Sequence, residues 1–340
     1  MSEYLNTGDI MNRFMNKLLF GVGLWTVLFV FGVMPSLMAD DVYNETLNMD
    51  RDPASVNMEN REKLQTAIEQ MRAEIKANGW NFTVGANPAM QYGLDELCGA
   101  KPDMKPPISA AFVPGEAGNH LSADTVSALP GSYTGYYTPV KDQGKCGSCW
   151  AFATIGNLEA AILKKTGETY DLSEQHLVSC NPWKWGCNGG SFAYDMLIPS
   201  MNDYPGAMLE SCFPYTATDA ACSFCASPAW HPVDQWGYIT NGHNVPSVDA
   251  IKNAIYTYGS VAVWIYADRT FQAYTGGVYN TNRRRFTTNH GVVLCGWDDS
   301  KQAWRLKNSW GTGWGEKGFM WIAYNCRNLV GQGASWVTTD

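Results

Sequence analysis

Positive charge is scarce in this chain: 24 Lys and Arg stand against 32 Asp and Glu over 340 residues, a formal net charge of −8. That balance offers nucleic acid or an anionic membrane surface no electrostatic footprint. Histidine is scarcer still, with five in the whole chain, so any acid–base chemistry has few candidates. No unit repeats at a fixed period, which argues against solenoids and propellers. Long apolar runs are lacking outside the N-terminal region. What is plentiful is globular texture: 45% hydrophobic residues, 14 Trp and 17 Tyr, enough for a sizeable core in one two-lobed domain or two modest ones.

The one long apolar run, "LLFGVGLWTVLFVFGVM", follows Arg13 and Lys17 and precedes "PSLMA". A basic start, an apolar stretch and a small-residue stop form an export signal over residues 1–39, with cleavage expected after Ala39. Residues 1–10 carry Glu3 and Asp9 and fit no signal, so Met11 is an alternative start. The run is longer than a usual signal core, and a retained membrane anchor is the competing reading. Export places the ten cysteines in an oxidising compartment, where spaced pairs are more often disulfides than thiols or zinc ligands. No metal site or cofactor is expected.

After the signal, Leu64, Ala67, Ile68, Met71 and Ile75 recur three and four apart, predicting an amphipathic helix over residues 57–77, closed by Asn78-Gly79. The stretch from "WNFTVGANPAM" through "GLDELCGAKPDMKPP" to about Tyr133 is rich in Gly, Pro and Ser and reads as a linker. From Tyr136 aromatics, glycines and cysteines become dense. A helix is predicted from Cys149 to Lys165, with Gly167 as its stop. Further on, "GSVAVWIYA", "GVVLCGWD", "AWRLKNSW" and "GFMWIAY" are short β-rich runs. The fold class is therefore α+β, one helical and one antiparallel β lobe, with a cleft between them.

The segment "KDQGKCGSCWAF" holds Cys146 and Cys149 three apart. By itself this spacing serves thiol–disulfide exchange, zinc binding or nucleophilic attack, and only a βαβ context, which the sequence lacks, would favour redox exchange. Cys149 falls at the predicted helix N-terminus, where unpaired N–H groups and the helix dipole favour the thiolate. A thiolate nucleophile needs an imidazole to take and return its proton. His290, in "TTNHGVVLCGWD" about 140 residues on, has the separation expected of that arrangement. His120 lies in the linker, His176 on a short helix, and His231 and His243 in loops. Asn308 in "KNSWGTGWG" is placed to orient the ring, and the amide of Gln143 can join the Cys149 N–H in an oxyanion hole.

Together "QGKCGSCWAF", "CNGG", "NHGVVLCGWD" and "KNSWGTGWGEKGF" resemble the papain and cathepsin family of cysteine peptidases over roughly residues 129–336. The resemblance implies a papain-like fold, with a helical left lobe and an antiparallel β-barrel right lobe flanking the cleft, in a peptidase domain at residues 126–340. It implies Cys149 as nucleophile, often ion-paired with His290, Asn308 as ring orienter, Gln143 in the oxyanion hole, and Trp310 covering the Asn308–His290 contact. It places Gly189 and Gly190 along the substrate strand, with Gly333 near the floor of the main specificity pocket. It also implies that Cys146 bridges Cys187. Among the three connectivities open to four further cysteines, Cys180 with Cys222 and Cys212 with Cys225 is expected, the family supporting only the first pair. Cys295 is expected to be an inert buried thiol, and Cys326 has no evident partner.

The same resemblance makes residues 40–125 a prosegment lying through the cleft as an intramolecular inhibitor, with processing expected between Leu121 and Gly131. "NFTVGANP" and "DELCGAKP" look more like the short prosegment of cathepsin B than like that of cathepsin L. Cathepsin B-type exopeptidase action is one alternative, but the sequence has no His-His pair and no long insertion after "CNGG". A non-catalytic binding protein on the papain fold is another. The expectation is an exported, monomeric endopeptidase made as a zymogen, acting on polypeptides. Its place would be secreted or extracytoplasmic: lysosome or vacuole in a eukaryote, periplasm or exterior in a bacterium.

Overall fold

The computed structural model describes residues 58–103, 129–201, 204–240 and 242–339. The expected export signal, the alternative start at Met11 and most of the span expected to hold the processing site lie outside the described residues. Among these residues no helix is long and apolar enough to cross a membrane.

Helix α1, Met58–Asn78, carries the predicted stripe: Ile68, Met71 and Ile75 are buried. Over its described residues 79–103 the stretch after it is not a linker as expected. Residues Asn81–Val84 form strand β1, and Trp80, Phe82, Val84, Met90 and Leu97 all enter the β-lobe core. A short turn of helix, α2 at Leu94–Leu97, then leads toward the cleft. Glycine and proline density signalled a linker, yet alternate apolar residues in a four-residue strand bury as well as those in a longer one.

Strand β2, Ser132–Thr134, precedes helix α3, Cys149–Thr166. Every residue of α3 from Cys149 to Ile162 is buried, so the helix is surrounded by protein, not amphipathic. Gly167 ends it in the left-handed conformation at φ 76°, where a Cβ would be strained. Helix α4, Glu174–Cys180, is capped by Ser173, whose hydroxyl accepts from the His176 N–H at 3.0 Å. Strands β3, Ala207–Met208, and β4, Trp230–His231, pair as a small ribbon, so His231 lies in a strand and not in the expected loop.

The β lobe is built from β5 (Trp236–Tyr238), helix α5 (Val248–Tyr258), β6 (Val261–Ile265), the single turn α6 (Arg269–Gln272), and β7 (Tyr274–Tyr279). It is completed by β8 (His290–Asp298), β9 (Ala303–Lys307), β10 (Phe319–Ala323) and β11 (Gln332–Val337). Its strands run β1-β7-β10-β9-β8-β6-β11-β5, with β2 also on β8. Every pair is antiparallel except β7 with β10. Strand β1 thus closes the free edge of β7, pairing Asn81 with Val278 and Phe82 with Gly277.

Two buried cores result. One lies inside the sheet and α5; the other surrounds α3 and α4 and includes Trp150, Trp185, Phe192 and Trp264. Between them runs a buried ionic cluster. Lys141 reaches Glu159 at 2.8 Å and Glu174 at 3.0 Å, while Lys307 donates to Thr138 at 3.0 Å and Thr138 in turn donates to Glu159. Three disulfides brace the helical lobe: Cys146–Cys187, Cys180–Cys222 and Cys212–Cys225. Cys295 and Cys326 are unpaired and buried.

Candidate active site

Helix α3 opens at Cys149 without a side-chain cap, because the Ser148 hydroxyl is engaged by the Tyr215 phenol at 2.6 Å. The first-turn amides are therefore left to face the thiol. Cys149 is fully buried. Burial pushes its thiol up to about 11, while the backbone amides of Gly291, Gly99, Trp150 and Cys149 itself pull the other way.

His290 opens β8, on the opposite wall, with Gly291 placing its amide at the Cys149 thiol. The His290 Nε2 stands 2.8 Å from Asn308 Oδ1, which also accepts from the Ser309 N–H at 2.9 Å. This fixes the tautomer with its hydrogen on Nε2 and leaves Nδ1 as the acceptor. The Nδ1 has no hydrogen-bond partner in this state. The Trp310 ring lies 4.6 Å from the imidazole, centroid to centroid, and Phe271 meets Trp310 edge-on at 5.6 Å. Enclosure by these rings, with His290 itself fully buried, lowers the imidazole to about 4 despite the Asn308 bond. In the covered cleft burial thus works against the charged form of both groups.

Gln143 is fully buried, and its Nε2 donates to the carbonyls of Leu97 and Cys146, each at 2.8 Å. Its Oε1 accepts from the Ser309 hydroxyl at 2.6 Å, which orients the amide so that NH2 faces the cleft. Ser309 therefore holds two members of the group: Asn308 through its N–H and Gln143 through its hydroxyl. Sequence reading passed over it, since its partners lie up to 166 positions away.

The cleft is filled by residues 97–101. The Gly99 N–H donates to Cys149 Sγ at 3.3 Å. Ala100 pairs with Gly190 as a parallel bridge: the Gly190 N–H donates to Gly99 O at 2.9 Å, and the Lys101 N–H to Gly190 O at 2.8 Å. The Ala100 N–H donates to Asn289 O at 2.9 Å. Gly189, at φ 108°, both turns the chain after Cys187 and permits this approach, because a Cβ on it would lie 2.3 Å from Gly99 O. Cys98, between the two anchored residues, is a free thiol pushed well up by burial and by Cys149. Gly333 is buried, and a Cβ there would stand 2.7 Å from Trp264 Cδ1.

A sequence model of the papain family of cysteine proteases matches residues 130–338. The chain belongs to that family. Among its relatives, cathepsin K of Mus musculus is 38% identical over 201 residues, 58% of this chain and 59% of the relative. A cathepsin L-like peptidase of Aedes aegypti is 39% identical over 207 residues, 58% of each chain. The matched part thus spans about three fifths of the length of these curated relatives. Among solved structures, procathepsin L2 from the larval midgut of Tenebrio molitor superposes with a TM-score of 0.70 at 26% identity, covering 89% of this papain-family chain and 99% of that one. The likeness to a procathepsin extends beyond the family match to the region that contains α1, β1 and the cleft-filling segment.

Proposed function

We propose that the chain is the zymogen of a papain-type cysteine endopeptidase that cleaves polypeptides through an acyl-thioenzyme. The observation that carries the reading is the convergence of four groups on one spot: Cys149 at a helix N-terminus, Gly291 placing His290 beside it, Asn308 on the far ring nitrogen, and the Gln143 amide facing the cleft. His290 Nδ1 takes the Cys149 proton, and the thiolate attacks the scissile carbonyl carbon. The oxygen that gains the negative charge is held by Gln143 Nε2 and the Cys149 N–H. The imidazolium then gives its proton to the leaving amine, the C–N bond breaks, and a thioester remains. Water, deprotonated by His290, attacks the thioester, releasing the acid and restoring the thiol. Asn308 keeps the ring in the useful tautomer, and Trp310 keeps water from their bond. Thiol and imidazole supply all the chemistry, so neither metal nor cofactor is required.

The segment 97–101 explains latency. The Leu97 carbonyl uses the Gln143 amide, yet an N–H and not a carbonyl carbon is presented to the thiol. In this reading residues 1–39 direct export, residues 40–125 form the inhibitory prosegment, and residues 126–340 act as a monomeric peptidase in a secretory, lysosomal or extracytoplasmic setting. The lack of a His-His pair and of a long insertion after "CNGG" favours endopeptidase over exopeptidase action.

The test is hydrolysis of a fluorogenic peptide by processed protein, with and without one equivalent of a thiol-alkylating reagent. Loss of hydrolysis with alkyl at Cys149 supports the reading. Full activity in Cys149→Ala, or no hydrolysis by processed wild type, refutes it.

A further inference from the structure

We infer that Trp264, stacked on Phe192, is the floor of the pocket that receives the substrate residue lying on Gly190, and that it restricts this residue to a small side chain. The inference rests on the peptidase reading of Cys149 and adds a substrate class to it.

The place in question is occupied in the covered cleft by Ala100. Its backbone is clamped between Gly190 and the Asn289 carbonyl, and its methyl packs against the helical-lobe core that includes Phe192 and Trp264. Phe192 lies two residues beyond Gly190, and Trp264 on β6 pairs with Gly291, two residues beyond Asn289. The two rings therefore approach from the same two walls that clamp Ala100. They meet face to face, with centroids 3.7 Å apart and planes within 7°, and both are fully buried.

The indole has no room to withdraw. A Cβ on Gly291 would stand 2.9 Å from its Cζ3, and one on Gly333 2.7 Å from its Cδ1, so both edges are already in contact with backbone. A packed ring stack of this kind yields to a larger guest only by breaking contacts on every side. The next position is different. Lys101 lines an open groove of about 340 Å³ together with Trp183, Lys184, Asn188 and Asp219. Selectivity is thus concentrated at the Ala100 place and is slack one residue further out.

The experiment profiles a fluorogenic peptide library, varied at three residues on the acyl side of the cut, with the processed enzyme. Ala, Gly and Ser at the second residue are expected to exceed Leu and Phe by at least about tenfold in kcat/KM, the scale on which an apolar pocket separates side chains. The third residue should tolerate bulk. Trp264→Leu should shift the second-residue preference toward Leu and Phe, with Phe192→Ala as the parallel variant should the first not fold. A wild-type preference for Leu or Phe at the second residue, or a folded Trp264→Leu or Phe192→Ala that keeps the small-residue preference, overturns the inference. Stoichiometric labelling of Cys149 by a peptidyl thiol reagent separates the two layers. Labelling with a bulky preference sinks the pocket alone, whereas no labelling and no cleavage sink the peptidase reading beneath it.

Discussion

The backbone N–H of Gly99 points at Cys149 Sγ from 3.3 Å, so the thiol is covered by a hydrogen-bond donor where attack would require a carbonyl carbon. Covering and burial act together: the thiol is pushed up to about 11 and is sealed from reagents. Iodoacetamide should therefore modify Cys149 at least about a hundredfold more slowly in the unprocessed chain than after removal of the prosegment, since only thiolate reacts. Peptide mapping after timed alkylation reads the two rates, and equal rates would show that the segment does not cover the site in solution.

His290 carries a second consequence, in pH. Its value in the covered cleft, about 4, lies below the ordinary 6.5 because the ring is buried. The covered state therefore binds the proton less readily than any state in which the ring meets water. As pH falls from about 6.5 toward 4, the open state gains and the covered state loses. Cys149 does not enter the measurement, because the variant tested carries alanine there. In Cys149→Ala, which cannot process itself, an added protease should cut residues 97–101 faster at pH 4.5 than at pH 7, by about tenfold or more. His176, also lowered to about 4 by burial and with neither ring nitrogen bonded, weakens the helical lobe in the same direction. The melting temperature measured alongside distinguishes the two: cleavage that rises only when the whole chain melts counts against His290.

Why the nucleophile and base are legible while their supports are not is a matter of distance along the chain. "QGKCGSCWAF" and "NHGVVLCGWD" each carry their chemistry within a few consecutive residues, and the helix stop at Gly167 needs only local sterics. Ser309 acquires its meaning from a hydroxyl bond to Gln143 across 166 positions, and β1 from pairing with β7, where Asn81 meets Asn280 across 199. "NFTV" is too short for any periodicity to announce a strand. Resemblance places Gly333 near the pocket floor, whereas the ring it abuts belongs to Trp264, which nothing local in "VAVWI" marks as anything other than a buried strand residue.

Gln143 has two duties that one substitution separates. Its Nε2 holds the Leu97 carbonyl in the zymogen and is proposed to hold the oxyanion during turnover. Gln143→Ala should lower kcat of the processed enzyme by about 10²–10³, the usual cost of one oxyanion donor, with KM little changed. The same change should speed prosegment release, because it deletes one of the contacts that anchor residues 97–101. Slow turnover with faster release is the expected pair of results. A variant with unaltered kcat would remove Gln143 from the oxyanion hole.

Lys141 is the charge on which the joint between the lobes depends. It is one-fifth exposed, yet its ammonium touches Glu159 at 2.8 Å, Asp171 at 2.7 Å, Glu174 at 3.0 Å and the Leu172 carbonyl at 2.7 Å. Burial alone would lower it, but the carboxylates of Glu174 and Glu159 hold it well above the ordinary lysine value. Glu174, almost fully buried, is raised to about 8 by its own desolvation even with Lys141 beside it. Removing the cation strands two buried carboxyl groups, a loss of about 3–5 kcal/mol for a broken buried pair. The sign with pH follows from Glu174. Its folded value lies above the unfolded 4.5, so the fold loses stability as pH rises from about 4.5 to 8, and loss of Lys141 pushes that value higher still. Lys141→Met should therefore be close to wild type in urea unfolding near pH 4.5 and fall progressively behind toward pH 8. Adding Glu174→Gln should weaken that dependence by removing one of the two buried carboxyl groups. A deficit that is equal at both pH values would mean that Lys141 contributes packing of its stem and not neutralisation of the carboxylates beneath it.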